Sequence, residues 1–346
     1  MGAGCVIHYL HPGRVTEDAV VNVLIADKME TDCIRGIESL GCAVHFDADL
    51  GPETLAEAVR KCEAEILVVR STKVPGSVLE GAPTLRGIIR AGAGTDNIDV
   101  ESATRRGVAV CNCPGMNSAA VAELAMGLLI ACDRRIPQQT AELKAGHWNK
   151  KEYSKAAGLM GRTLLVIGRG AIGRQVVRRA KAFGMRLLIE EPSLTPQWAA
   201  EIGLELIGPT RADLYAALER ADAVTIHVPL TDETRGMCDA EFFSRMRRGT
   251  IFVNTARGAI VDEKALLEAV EAKDLKVGLD VYCDQPEEKE CDWMPAIARH
   301  PNVITTHHIG ASTEQAQLAV GEEVVRIVRV YRETGQFENQ VNKATG

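Results

Sequence analysis

Short apolar runs alternate with amphipathic segments over residues 21–112 of the chain. The runs are rich in Val, Ile and Leu, which is typical of buried strands. The segments between them repeat apolar residues every three or four positions, which is typical of helices packed on a sheet. We predict strands at 22–26, 42–46, 66–69, 87–91 and 108–110, and helices at 32–40, 52–62 and 99–106, with Val78 and Leu79 within a further short helix. This alternation predicts a parallel α/β sheet.

A second series of the same kind begins at Thr163, after a loop at 112–117 and a long apolar helix predicted at 119–133 with Ser118 as its N-cap. Six strands are predicted, at 164–167, 186–189, 223–228, 250–254, 277–281 and 303–306, with a helix at 262–272 capped by Asp262. A final helix at 313–333 is expected to return to the first sheet. One discontinuous domain, 1–116 and 310–346, is therefore predicted, with a second domain, 117–309, inserted into it.

The stretch TLLVIGRGAIG (163–173) carries the clearest chemical signal in the chain. A strand runs into Gly168, Gly170 and Gly173, a helix follows, and a second strand ends at Glu190 and Glu191, which is the pattern of a dinucleotide-binding unit. The first glycine permits a tight turn, the second lets a pyrophosphate approach, and the third allows close helix packing. The helix N-terminus, with Ala171 and Ile172, offers N–H groups to the phosphates. Glu191 is placed to bind the ribose hydroxyls and repel a 2′-phosphate, which favours NAD.

Composition excludes several classes of function. The chain has 346 residues, 46% of them hydrophobic and 25% charged, which is ordinary for a globular protein. Its net charge of −7 argues against nucleic acid or an anionic membrane as a partner. No apolar run approaches the roughly 20 residues that a membrane span needs. The ten scattered cysteines favour a reducing cytoplasm, and no metal is expected because the Cys and His residues of 283–308 fit no zinc spacing.

Polar residues follow the predicted strands of the second series, at the edge where doubly wound sheets bind ligands. They are His227-Val228-Pro229, Thr255-Ala256-Arg257, Asp280 and His308-Ile309-Gly310-Ala311. His308 is suited to exchange a proton with an alcohol or ketone oxygen, and Arg257 to bind a carboxylate in a bidentate manner. The alternatives are a surface ion pair for Arg257, a capped strand end for His308 and a turn cap for Asp280.

Several long segments resemble the D-isomer-specific 2-hydroxyacid dehydrogenases. They are RAGAGTDNID (90–99), NCPGMNSAAVAEL (112–124), VIGRGAIGR (166–174), HVPL (227–230), NTARGAIVDEKAL (254–266), GLDVY (278–282) and HHIGAST (307–313). The resemblance covers about residues 21–330 and is strongest to members that act on 3-phosphoglycerate. It implies an α/β fold of two doubly wound domains, a flavodoxin-like substrate domain and an inserted Rossmann domain for NAD.

The same resemblance implies roles for individual residues. Arg257 and His308 are expected to be catalytic, with the residue at 285 beside the histidine, and Asp280 is expected to receive the nicotinamide amide. The NAD contacts are expected from Gly168, Gly170, Ala171, Ile172, Gly173, Glu191, His227, Val228, Pro229, Thr255, Ala256, Asp280, Gly310, Ala311 and Ala93. The substrate contacts are expected from Gly92, Ala93 and Gly94 for the carboxylate, and from Arg70, Arg90 and a neighbouring subunit's Arg134 for a phosphate. Surface cations are the alternative for Arg70 and Arg90, and mere turning of the chain for the glycines.

Two positions depart from the family pattern. The family carries a glutamate beside the catalytic histidine, and the matching residue here is Gln285. A neutral amide gives no charge stabilisation of an imidazolium, so we expect a less basic His308 and weaker acid catalysis. His307 stands where the family usually has a proline, which affects the placement of His308.

Three functions stay open from the sequence. The first is a dehydrogenase of 3-phosphoglycerate or another D-2-hydroxyacid, including a glyoxylate or hydroxypyruvate reductase. The second is hydride donation alone, as in the NAD-dependent formate dehydrogenases, which also use glutamine beside the histidine. The third is a non-catalytic NAD-sensing binding protein.

A homodimer through 119–148 is expected, and no C-terminal regulatory domain is expected because few residues follow position 340.

Overall fold

A computed structural model describes residues 20–190, 195–201, 203–286, 288 and 290–343. These residues form two compact units. Of the described residues, 20–117 and 314–343 form unit 1, and those within Ser118–Thr313 form unit 2. Glu191, predicted to select NAD, lies outside the described residues.

Unit 1 contains a five-stranded parallel sheet with the strand order β2-β1-β3-β4-β5. This is the flavodoxin-like order, so the predicted class of this sheet is confirmed. Its elements are β1 (Asn22–Ile25), α1 (Thr31–Ser39), β2 (Ala43–Phe46), α2 (Pro52–Lys61), β3 (Ile66–Val69), α3 (Gly76–Glu80), β4 (Gly87–Arg90), α4 (Val100–Arg105) and β5 (Ala109–Asn112).

The last helix of the chain also belongs to unit 1. It is numbered α13 (Glu314–Thr334) because eight helices of unit 2 precede it. It crosses α1 closely, since a Cβ at Gly36 would lie 2.8 Å from the Val325 side chain and one at Gly321 would lie 3.1 Å from Cys33. The segment after α13 then pairs with the sheet edge, where Val341 N–H donates to the Val110 carbonyl at 2.8 Å.

Unit 2 contains a seven-stranded parallel sheet with the order β12-β11-β10-β9-β6-β7-β8. Its elements are α5 (Ser118–Arg134), α6 (Ile136–Lys144), α7 (Lys150–Tyr153), β6 (Thr163–Ile167), α8 (Ala171–Ala182), β7 (Arg186–Glu190), α9 (Pro196–Glu201), β8 (Glu205–Leu206), α10 (Arg211–Leu218), β9 (Ala223–Ile226), α11 (Ala240–Arg245), β10 (Ile251–Asn254), α12 (Glu263–Lys273), β11 (Lys276–Leu279) and β12 (Val303–Thr305), with 3₁₀ turns at Gly258–Ile260 and Ala296–Arg299. The doubly wound order confirms the predicted fold class.

The structure corrects two details of the sequence-based description. The prediction of six strands was wrong, because Glu205–Leu206 adds a seventh that pairs with β7. Two residues are too few for a hydrophobic period to be visible. Ser118, predicted to cap α5, is instead its first residue and is buried. Asp262 does cap α12, accepting a hydrogen bond from Ala265 N–H at 3.0 Å.

The sheet of unit 2 is buried on both faces. On one face, Phe252 of β10 packs against Phe242 and Phe243 of α11, and the three rings meet edge to face. The opposite face packs on α5 and α8. Because all the strands are parallel, the polar residues that follow them lie at one edge of the sheet. Within the described part of the chain, no helix has the length and apolar character to cross a membrane.

Candidate active site

The glycine turn between β6 and α8, predicted to bind a pyrophosphate, packs closely at two of its glycines and is open at the third. Gly168 has a φ of +88°, and a Cβ there would lie 2.7 Å from the His227 carbonyl oxygen. A Cβ on Gly173 would lie 2.0 Å from the Gly168 oxygen. At Gly170, the N-cap of α8, a Cβ would meet no described atom within 4 Å. The first and third glycines therefore allow close packing, and the second leaves open the helix N-terminus, which suits a phosphate.

Two buried polar side chains follow neighbouring strands beside this turn. Ile226 of β9 is in register with Asn254 of β10, so His227 and Thr255 occupy the next positions. His227 Nε2 lies 2.9 Å from Thr225 Oγ1, and burial lowers the pKa of His227 to about 3, so its imidazole is neutral. His227 Nδ1 and Thr255 Oγ1 find no hydrogen-bond partner among the described protein atoms. Unsatisfied polar atoms at this edge fit the predicted binding of a polar cofactor.

Arg257 is held by a tight loop after β10. Asn254, fully buried, accepts a hydrogen bond from Ala256 N–H at 2.9 Å and donates one to the Arg257 carbonyl at 2.9 Å. At the next residue, Gly258, a Cβ would lie 2.0 Å from the backbone of Tyr282. This contact brings the Arg257 loop against the segment that follows β11. Sequence reasoning missed Asn254, although a buried amide at a strand end is a recognisable signal for a clamped turn.

Gln285 and His308 form the central pair of the site. Gln285 Nε2 lies 2.6 Å from His308 Nδ1. Gln285 Oε1 accepts a hydrogen bond from Tyr282 N–H at 3.3 Å. That bond orients the amide so that its NH₂ group faces the histidine, and an NH₂ group can only donate. In this orientation of the amide, His308 Nδ1 accepts, and a neutral ring carries its proton on Nε2. The predicted neighbourhood of the two residues is present in the structure.

Asp280 holds the loop that carries His308. Its Oδ1 accepts hydrogen bonds from Thr306 Oγ1 at 2.6 Å and Ile309 N–H at 2.9 Å, and its Oδ2 accepts one from Gly310 N–H at 2.9 Å. The Asp280 carbonyl accepts a further bond from His308 N–H at 2.8 Å. His308 itself has a φ of +53°, in the left-handed region. The hydrogen bonds that Asp280 accepts hold this uncommon conformation.

Tyr282 links the same two segments. Its hydroxyl donates to the Thr306 carbonyl at 2.9 Å, and burial raises its pKa to about 12, so it stays protonated. Its ring packs edge to face on Trp293 at 5.1 Å between centroids. Sequence reasoning did not single out Tyr282, because its partner lies 24 positions away along the chain.

The substrate residues predicted in the first domain lie in unit 1. Arg70 follows β3, and Arg90 is the last residue of the neighbouring strand β4. Both residues are half-buried. Gly92 has a φ of +153°, and a Cβ there would lie 1.7 Å from Arg90 Nη1, so the guanidinium lies over this glycine. The Ala93 carbonyl accepts a hydrogen bond from Asn112 Nδ2 at 2.6 Å. Arg134 is exposed at the C-terminus of α5, in unit 2.

Residues 126–310 match the family described as "D-isomer specific 2-hydroxyacid dehydrogenase, NAD binding domain". The match covers more than half of the chain and most of unit 2. The chain belongs to the D-isomer-specific 2-hydroxyacid dehydrogenase family, and the predicted membership is confirmed. The prediction that the cofactor is NAD is also confirmed, because the matched family is an NAD-binding domain.

Three named proteins show which members of the family the chain resembles in sequence or structure. The chain is 43% identical to D-3-phosphoglycerate dehydrogenase of Methanocaldococcus jannaschii over 93% of its own length and 60% of the relative. It is 42% identical to hydroxypyruvate reductase of Thermotoga maritima over 79% of its own length and 86% of the relative. NAD⁺-bound 3-phosphoglycerate dehydrogenase of Entamoeba histolytica is similar in structure, with a TM-score of 0.76 and 26% identity over 94% of this chain and 99% of the other. The chain thus spans about three fifths of the archaeal phosphoglycerate dehydrogenase.

Proposed function

We propose that the chain is an NAD-dependent oxidoreductase that interconverts a D-2-hydroxyacid and its 2-oxoacid. The pairing of Gln285 with His308, in the segment against which the clamped Arg257 loop packs, carries this proposal, and the glycine turn of the same unit supports it. When bound, NAD supplies the acceptor or donor of a hydride. Unit 2 is assigned to the cofactor, and unit 1 to the substrate.

His308 moves the proton in this scheme. Its Nε2, the ring nitrogen that Gln285 does not contact, is proposed to exchange a proton with the substrate oxygen. Nε2 can accept the hydroxyl proton only when the neutral ring carries its own proton on Nδ1, so Gln285 must first turn its amide oxygen toward Nδ1. The imidazolium then carries a proton on each nitrogen, and reduction returns the Nε2 proton to the substrate oxygen. The turn breaks the 3.3 Å bond from Tyr282 N–H, which costs about 1 kcal/mol. Arg257 is proposed to hold the carboxylate and the reacting oxygen.

The proposed substrate pair is 3-phosphoglycerate and 3-phosphohydroxypyruvate. Arg70 and Arg90 support it because two guanidinium groups suit a phosphate dianion. The phosphoglycerate dehydrogenase of Methanocaldococcus jannaschii, to which the chain is similar, points the same way. The loop at 92–94 is proposed to bind the substrate carboxylate through the backbone N–H groups of Ala93 and Gly94, because the Gly92 N–H donates to the Arg90 carbonyl at 2.8 Å.

Two other functions have an observation in their favour. Reduction of hydroxypyruvate or glyoxylate, without a phosphate, is favoured by the similarity to the Thermotoga maritima hydroxypyruvate reductase. Oxidation of formate is favoured by the orientation of Gln285, because that reaction needs no proton transfer by the histidine.

A substrate panel separates these functions. We would measure NADH oxidation with 3-phosphohydroxypyruvate, hydroxypyruvate and glyoxylate, and NAD⁺ reduction with formate. The proposal expects the highest kcat/KM with the phosphorylated acid. Arg70→Gln and Arg90→Gln should lower only the rate with that acid, and Arg257→Gln the rates with all three 2-oxoacids. Arg105→Gln is the matched control, because Arg105 pairs with Glu101 on an exposed face of α4. Equal kcat/KM with and without the phosphate would overturn the substrate assignment, and turnover of formate alone would overturn the reaction.

We also propose a cytoplasmic homodimer that uses the surface of α6. None of the residues of this helix is buried, and its residues Ile136 and Leu143 are 46% and 57% exposed, as is Trp148, at 74%, four residues after the helix ends. Ile136 and Leu143 are seven positions apart and so share one face of the helix, and exposed apolar side chains on one face indicate an interface. Sedimentation of the wild type and of Leu143→Glu tests this, with a monomeric wild type as the contrary result.

A further inference from the structure

A buried carboxylate in unit 1 lies beneath the loop that carries Arg70. Asp27 follows β1 and is 4% exposed. Arg70 follows β3, the neighbouring parallel strand. Both residues therefore lie at the carboxyl edge of the sheet. None of the sequence motifs points to Asp27.

Three consecutive residues of the loop donate to this carboxylate. Oδ2 accepts hydrogen bonds from the backbone N–H groups of Arg70 at 2.7 Å, Ser71 at 3.0 Å and Thr72 at 3.0 Å. Oδ1 accepts a fourth from Ser71 Oγ at 3.0 Å. Thr72 Oγ1 also donates to the Ala26 carbonyl, at 3.2 Å. The loop is thus tied to the end of β1 by side-chain and backbone bonds.

Successive backbone N–H groups that converge on one point form a nest, which in other proteins binds an anionic ligand. Here the nest is filled by the chain's own Asp27. The amides of 70–72 are therefore unavailable to a substrate anion, and recognition of an anion at this loop falls to the Arg70 guanidinium. Hydrogen bonds to an ionised acceptor are stronger than neutral ones, so the backbone from which Arg70 projects is firmly held.

We propose that Asp27 is a positioning residue that sets the affinity for the phosphate of the substrate, acting through Arg70. This inference rests on the proposed function, in which Arg70 binds that phosphate. A long cation on a fixed backbone loses less conformational freedom on binding than one on a mobile loop. An amide at position 27 carries no charge and therefore accepts these hydrogen bonds more weakly. Its NH₂ group cannot accept at all, so the groups that face it lose their partner and the loop is no longer held in this conformation.

The test compares 3-phosphohydroxypyruvate with hydroxypyruvate, which differ only in the phosphate. We expect Asp27→Asn to raise KM for the phosphorylated acid roughly tenfold, the equivalent of one lost charge-assisted bond. kcat and the KM values for hydroxypyruvate and NADH should change less than about twofold, within the scatter expected of a neutral substitution. In the Arg70→Gln background, Asp27→Asn should add no further loss of preference for the phosphorylated acid, because the two residues act on one contact.

Two further variants secure the result. Ser71→Ala removes only the bond to Oδ1 and should raise the same KM by about threefold, and it decides the question if Asp27→Asn does not fold. Asp99→Asn is the matched control, since Asp99 caps α4 of the same unit by accepting from Ser102 N–H; its substrate preference should equal that of the wild type.

The outcomes separate this inference from the function beneath it. A wild type without preference for the phosphorylated acid overturns both. A wild type with that preference, together with equal losses for both acids in the Asp27 and Ser71 variants, overturns the role of Asp27 alone. Independent, multiplicative effects of Asp27→Asn and Arg70→Gln also overturn it.

Discussion

The side-chain nitrogen of Gln285 lies 2.6 Å from Nδ1 of His308, and the backbone N–H of Tyr282 orients the amide that provides it. An amide in this orientation donates to the histidine and therefore favours the neutral ring. A carboxylate at the same place accepts from Nδ1–H and favours the charged ring. The residue at 285 thus decides the proton affinity of the group proposed to exchange the proton.

Gln285→Glu is expected to extend reduction to higher pH. The carboxylate stabilises the imidazolium, so the acid that reduction needs persists to higher pH. Oxidation needs the neutral ring, and its onset should move upward by the same amount. The measurement is kcat/KM against pH in both directions. Glu288→Gln, at an exposed position of the same segment, is the control, and unchanged profiles in Gln285→Glu would remove this role for residue 285.

Asp280→Asn is expected to lower kcat by roughly a hundredfold, since a misplacement of about 1 Å can have this effect. Asp280 accepts hydrogen bonds from three groups of the segment 306–310, and an amide cannot accept all of them at full strength. Binding of NADH, followed by fluorescence titration, should weaken much less than kcat falls.

Thr306→Val shows how much of the expected loss of kcat comes from one of the hydrogen bonds that Asp280 accepts. It removes one of the three donors and should lower the free energy of unfolding by about 1 kcal/mol, with a smaller loss of kcat. If Asp280→Asn weakens NADH binding as much as it lowers kcat, the side chain acts on the nicotinamide, as the family resemblance implies, more than on the loop.

The sequence predicted those parts of the site whose chemistry is local. The glycine turn can be predicted from the sequence because only glycine fits at Gly168 and Gly173, where an added Cβ would meet a backbone oxygen. Arg257 and His308 could be singled out because each comes three positions after the end of a parallel strand, and such positions meet at one edge of the sheet.

The rest of the site depends on contacts between distant parts of the chain. Asp280 is bonded to Gly310, 30 positions later, and Asp27 to Arg70, 43 positions later. Neither spacing has a period that a sequence can display. The short strand Glu205–Leu206 escaped prediction for another reason, since its existence depends on pairing with β7 and not on its own two residues.

Gly258→Ala is expected to lower the free energy of unfolding by about 3 kcal/mol or to prevent folding, because overpacking against backbone cannot be relieved by a rotamer change. The added Cβ would lie 2.0 Å from the Tyr282 carbonyl carbon and 2.4 Å from Cys283 N. Chemical denaturation measures the effect. Gly127→Ala is the matched control, because Gly127 lies exposed in α5 and a Cβ added there would have no described atom within 4 Å; it should gain up to about 1 kcal/mol. Equal stability of the two variants contradicts the close approach.

His227 predicts how the stability of the protein depends on pH. Burial lowers its pKa to about 3 in the folded state, whereas an unfolded histidine titrates near pH 6.5, as is usual for this side chain. Between these values the unfolded chain binds a proton that the folded protein does not. The stabilising contribution of the buried neutral ring is complete above about pH 6.5 and falls by about 1.4 kcal/mol for each unit of pH below it.

The free energy of unfolding, measured by urea denaturation from pH 7.5 to 5, should therefore decline less steeply in His227→Asn than in the wild type. His45→Asn, at an exposed position of β2, should keep the wild-type slope. Parallel slopes for the wild type and His227→Asn would show that the imidazole is charged in the folded protein, and the neutral, buried ring beside the glycine turn would then have to be abandoned.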